Sequence, residues 1–166
     1  RLLFDICDGD AKKVKTMMNK LSKNGSYKLT KALHKKVTDL FWGGCCDDYF
    51  TKVQIWKTHT NTGYTLDTHT AVAVKVYEDY KSATGDETRT VIASTASPYK
   101  FSASVLEAID GKKPEIDEFA MVDRLYEISQ YEIPDALASL KNKEIRFSES
   151  VESNQMKDFV LKTLGM

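Results

Sequence analysis

The chain has 166 residues, 42% of them apolar and 29% charged, with 24 basic side chains balanced by 24 acidic ones. That length suits one compact domain, and the composition is that of an ordinary soluble globular protein rather than a disordered one. A net charge of zero offers no basic face to nucleic acid, no apolar run approaches the roughly 20 residues of a membrane helix, and no signal-peptide pattern opens the chain.

The segment from Arg1 to Cys7 reads as an apolar helix with no cap before it, and the first residue is not Met, so the chain is expected to be cut from a longer protein. Asp10 caps a second helix with Ala11, Val14, Met17, Met18 and Leu21 on one face, ended by Asn24-Gly25. Thr30 caps a third carrying Leu33, Val37, Leu40 and Phe41, broken by Gly43-Gly44. Asp47 or Asp48 opens a fourth, with Tyr49, Val53 and Trp56 on its face, stopping near Gly63.

Asp67 caps the next helix, which is apolar nearly all round (Ala71 to Val74, Val76, Tyr77, Tyr80) and so is expected to be buried; Gly85-Asp86 ends it. The β-branched run 90–94 is expected to be a buried parallel strand. Helices over about 102–109 and 115–129 follow, then a short one begun by Pro134, a strand at 144–147, and a last helix with Met156, Phe159, Val160 and Leu164 on one stripe. Helix, buried strand and helix in turn give an α/β class.

Cys7, Cys45 and Cys46 are odd in number and show no CxxC spacing, so neither a disulfide framework nor a zinc site is expected; a reducing cytoplasm suits them. Phosphate-loop, dinucleotide, serine-hydrolase and zinc-protease signatures are absent. Lys157, in Met156-Lys157-Asp158, lies off the apolar stripe and reads as a solvated lysine, and His34 and His59 read as solvated on helix surfaces.

Two segments say more: Thr62-Gly63-Tyr64-Thr65-Leu66-Asp67-Thr68-His69-Thr70-Ala71-Val72-Ala73 and, after residues 74–93, Ser94-Thr95-Ala96-Ser97-Pro98-Tyr99-Lys100-Phe101. In this order they resemble the two C-terminal signatures of threonine synthases. Thr68 stands where many members carry Pro at the helix start, a backbone that Thr also adopts.

The resemblance implies a fold-type II enzyme of the tryptophan synthase β-like kind that uses pyridoxal 5′-phosphate (PLP). The chain would be its helix-rich α/β C-terminal part, with a short, mainly parallel sheet. Residues 1–62 would be helical, 63–111 the cofactor-proximal α/β part, and 112–166 a helical tail with one strand. The reaction implied is O-phospho-L-homoserine and water to L-threonine and phosphate. Two alternatives stay open: a threonine synthase-like PLP phospho-lyase, or a non-catalytic interaction domain of the same fold.

In the family the lysine that holds the cofactor and the loop for its phosphate lie toward the N-terminal side. No catalytic residue or metal ligand is therefore expected here. The chain alone is expected to be inactive and not to hold PLP stably, and its partners would be the small-molecule substrate and the N-terminal part of the same polypeptide. Thr95 matches the hydroxyl that meets the pyridine nitrogen. Lys100 is either a point charge for the anionic substrate or a solvated loop lysine. Asp67 and His69 are either supports beneath the site or, respectively, a plain N-cap and a satisfied buried histidine.

Overall fold

The computed structural model describes every residue except Phe147. Cap chemistry decides where its helices begin. Asp10 accepts a hydrogen bond from the Lys13 amide, Thr30 from that of Leu33 and Asp47 from that of Phe50, each satisfying a donor of the first turn. The resulting helices are α1 (Leu2–Ile6), α2 (Ala11–Asn24), α3 (Lys31–Thr38), α4 (Asp48–Thr62), α5 (Thr68–Thr84), α6 (Ser102–Asp110), α7 (Glu118–Ser129), α8 (Asp135–Ala138) and α9 (Met156–Thr163). At the end of α4, Gly63 takes φ 73° and returns its amide to the His59 carbonyl at 2.8 Å, a left-handed cap that a Cβ would strain.

The chain divides into two units, Arg1–Pro114 and Glu115–Met166. In the first, Ile6, Cys7 and Met17 form a small core, covered by Leu3, Val14, Tyr27, Leu29, Leu33 and Val37 from α1 to α3. Lys36 ties α3 to the end of α1, donating to the Ile6 carbonyl (3.0 Å) and the Asp8 carboxylate (2.8 Å). Next along the chain α4 packs against both α5 and α6. Lys57–Glu78 (2.8 Å) bridges α4 to α5 and Lys52–Glu107 (2.6 Å) bridges α4 to α6. The linker before α4 lies along α5. Trp42 meets Tyr80 edge to face at 5.5 Å, and a Cβ on Gly44 would stand 2.9 Å from the Val76 side chain, which would have to shift to admit it. In the second unit, Lys141 pairs with Asp123 of α7 at 2.9 Å.

Three sequence expectations are corrected. The buried face of α4 is Thr51, Gln54 and Ile55, whereas Tyr49, Val53 and Trp56 are exposed. Buried polar groups are tolerated here because they are satisfied: the Thr51 hydroxyl donates to the Asp47 carbonyl at 2.7 Å, and Gln54 reaches Thr58 and Glu78. Helix α5 is half-buried along most of its length, with only Thr70 and Ala71 fully covered. Its open side faces a groove of about 530 Å³ lined by Trp42, Val76, Tyr77, Tyr80 and residues 90–93.

Third, no β-strand occurs among the described residues. Run 90–94 lies beside α5 without regular structure. In the second unit residues 144–146 also carry no regular structure, and Phe147 of the expected second strand lies outside the described residues. A strand exists only as part of a ladder, and β-branched residues favour the conformation without supplying the partner. The observed class of the described residues is therefore helical.

Candidate functional site

The site begins at a helix cap. Asp67 follows buried Thr65 and Leu66 and is itself 1% exposed, set at the mouth of α5. Its Oδ1 accepts from the His69 amide at 2.8 Å and the Thr70 amide at 3.2 Å; its Oδ2 is held by the Thr70 hydroxyl. Three donors and the positive end of a helix surround one carboxylate, the arrangement in which a buried acid is best compensated.

The second segment is shaped by a tight turn. The Ser97 hydroxyl accepts from the Tyr99 amide at 3.3 Å, Pro98 opens a 3₁₀ turn over Pro98–Phe101, and the Ser102 hydroxyl donates back to the Tyr99 carbonyl at 2.8 Å. Tyr99 is buried and anchors the turn, which leaves Lys100 facing outward.

Two contacts bring the segments together. Thr70 Oγ1 lies 3.3 Å from Ser94 Oγ, and the His69 and Phe101 rings stand 4.9 Å apart at 38°. Lys100 Nζ sits 5.6 Å from the centroid of the same Phe101 ring, a cation–π contact. Asp67, His69 and Lys100 are thus joined through Thr70, Ser94 and Phe101, with Thr95 next in sequence to Ser94.

Thr95 is exposed, and its hydroxyl makes no hydrogen bond among the described residues. Lys100 is exposed and has no carboxylate within ion-pair distance among the described residues. His69 is not a buried histidine: its side chain is 66% exposed, with Nδ1 3.7 Å from Asp67 Oδ1 and 3.3 Å from the Thr68 hydroxyl. His59 is also corrected. It is half-buried, with Nδ1 3.0 Å from the hydroxyl of buried Thr65. Thr70, Ser94 and Phe101 had no assigned role in the sequence reading, though all three lie inside the two segments it singled out. Lys157 is exposed, as read.

A family model described as "Threonine synthase, C-terminal" matches residues 70–160. This chain belongs to the threonine synthase family. The match begins at Thr70, so it takes in Thr95 and Lys100 while Asp67 and His69 precede it.

A threonine synthase of Methylobacillus glycogenes is 34% identical over 117 residues, covering 69% of this chain and 24% of that protein. Human threonine synthase-like 1 is 29% identical over 131 residues, covering 79% of this chain and 17% of that protein. The structure of PLP-bound threonine synthase from Brucella melitensis superposes with a TM-score of 0.58 at 26% identity, covering 80% of this chain and 26% of that one. The chain therefore spans about a quarter or less of the relatives it matches.

Proposed function

We propose that this chain is the C-terminal part of a PLP-dependent threonine synthase that converts O-phospho-L-homoserine and water to L-threonine and phosphate. The observation that carries the reading is the meeting of the two signature segments, at Thr70–Ser94 and His69–Phe101, in a chain of that family.

The residues suit the cofactor: Thr95 is exposed with no hydrogen bond from its hydroxyl among the described residues, and Lys100 is exposed with no carboxylate partner among them. When bound, pyridoxal phosphate supplies the electron sink for loss of phosphate and addition of water. Thr95 would donate a hydrogen bond from its hydroxyl to the ring nitrogen. A neutral donor leaves that nitrogen largely unprotonated, where an Asp would protonate it. Lys100 presents a point charge to the anionic substrate, its ammonium 5.6 Å from the centroid of the Phe101 ring. Asp67 fixes the start of α5 and, with it, the His69 ring beneath the turn. Run 90–94 joins a parallel sheet in the longer enzyme, and residues 63–111 are its cofactor-proximal part.

A second reading is a threonine synthase-like phospho-lyase, in which the intact enzyme releases phosphate from a related substrate without making threonine; a relative named threonine synthase-like 1 is among the similar proteins. One assay separates the two. Full-length enzyme loaded with PLP is given O-phospho-L-homoserine, and phosphate and threonine are measured together. Equal yields support the synthase, phosphate without threonine supports the phospho-lyase, and neither product overturns the synthase reading.

A further inference from the structure

Thr70 touches two oxygens but has one hydroxyl proton to give. It lies against Asp67 Oδ2 on one side and 3.3 Å from Ser94 Oγ on the other, and both Asp67 (1%) and Thr70 (4%) are shielded from water. An ionised carboxylate accepts and cannot donate. Two backbone amides already point at its other oxygen, so the Thr70 proton goes to Asp67. The Thr70–Ser94 contact is then satisfied only if Ser94 donates its own proton inward. With that proton spent, Ser94 offers nothing but lone pairs to the outside. Its neighbour Thr95, uncommitted among the described residues, keeps its proton.

We propose that Asp67, Thr70 and Ser94 form a proton-ordered chain that makes Thr70 and Ser94 positioning residues, leaving Thr95 as the one hydroxyl of the Ser94-Thr95 pair able to donate to the cofactor ring; this rests on the PLP reading above. The chain acts in two ways. It pins the backbone carrying Thr95 to the first turn of α5, and it keeps Ser94 from competing as a donor for the same nitrogen. Neither residue touches the cofactor in this role.

The test uses apo full-length enzyme, titrated with PLP to read the dissociation constant and the visible spectrum, with apo melting temperature, kcat and KM measured alongside. Ser94→Ala is expected to weaken PLP binding on the order of three- to tenfold for one lost neutral hydrogen bond, and Thr70→Val, which also removes the bond to the Asp67 carboxylate, at least as much. The double variant should be no worse than Thr70→Val alone, because both substitutions break the same chain. Thr70→Ser should restore affinity and spectrum.

Additive losses, or unchanged PLP affinity and spectrum with only a lower apo melting temperature, overturn the proposal. If Thr70→Val fails to fold, the exposed Ser94→Ala decides alone: wild-type affinity there is a refutation. If the wild-type enzyme takes up no PLP, the functional reading falls and this inference with it, and the wild-type titration tells that failure apart from failure of the chain alone.

Discussion

In the intact enzyme a substitution at Thr95 separates the hydroxyl from the methyl. Thr95→Ala is expected to leave folding intact, because the side chain is exposed, and to lower turnover by the loss of a neutral hydrogen bond, about 0.5–1.5 kcal/mol. Thr95→Ser keeps the oxygen and should be mild, while Thr95→Asp should shift the cofactor's visible spectrum toward the protonated pyridine. Equal losses for Ala and Ser show that the bond is not what matters. A second prediction concerns Asp86, just past α5. The Thr88 hydroxyl and amide and the Tyr80 phenol (2.6 Å) all donate to its carboxylate, which lowers its pKa from 3.8 to about 2. A depressed acid contributes stability that is fully present above its unfolded pKa and lost as pH falls through the folded one. Acid titration should therefore show a loss between about pH 4 and 2 that Asp86→Asn removes; an unchanged curve in the variant refutes it.

At the scale of elements, α4 makes the clearest prediction. Ile55 is fully buried, so Ile55→Ala should cost about 2–5 kcal/mol in urea unfolding, whereas Trp56→Ala, 51% exposed, should stay within about 0.5 kcal/mol. The reverse order would mean that the faces are assigned wrongly. That face was not legible in the sequence. Tyr49, Val53 and Trp56 make the more apolar stripe, and nothing local announces that Gln54 reaches Glu78 of α5, although the Thr51 bond to the Asp47 carbonyl lies within one turn. The caps were legible because a cap is decided within four residues: Asp10, Thr30 and Asp67 stand where the sequence puts them, and Asp47 resolves the choice with Asp48. The same contrast runs through the site. Asp67 could be read from its helix, while the Thr70–Ser94 and His69–Phe101 contacts join residues 24 and 32 positions apart (94 − 70 and 101 − 69) and depend on packing. The run 90–94 forms no strand in this chain for a related reason, since a ladder is decided by a partner strand and not by the run itself.

For the chain as a whole, the exposed apolar side chains set the expectation. Leu40 (77%), Val91 (90%), Ile145 (82%) and Leu164 (67%) stand open to solvent together with the Tyr49–Trp56 face of α4. The isolated chain should therefore self-associate, with a light-scattering mass that rises with concentration. A strict monomer that unfolds cooperatively at high temperature refutes this. Added PLP should leave no stoichiometric chromophore after desalting, because the reading places the cofactor's lysine elsewhere; a stable chromophore traced to one lysine here would refute that part of it.

Asp67 closes the first turn of α5 and also holds the Thr70 hydroxyl that reaches Ser94. Helix ends fray more readily than helix middles, so the lifetime of that first turn becomes an upper limit on how long the loop bearing Thr95 stays in register. Hydrogen exchange at the His69 and Thr70 amides is then a clock for the site as well as for the helix. Conditions that speed exchange at those two positions should loosen the cofactor wall before the rest of α5 responds.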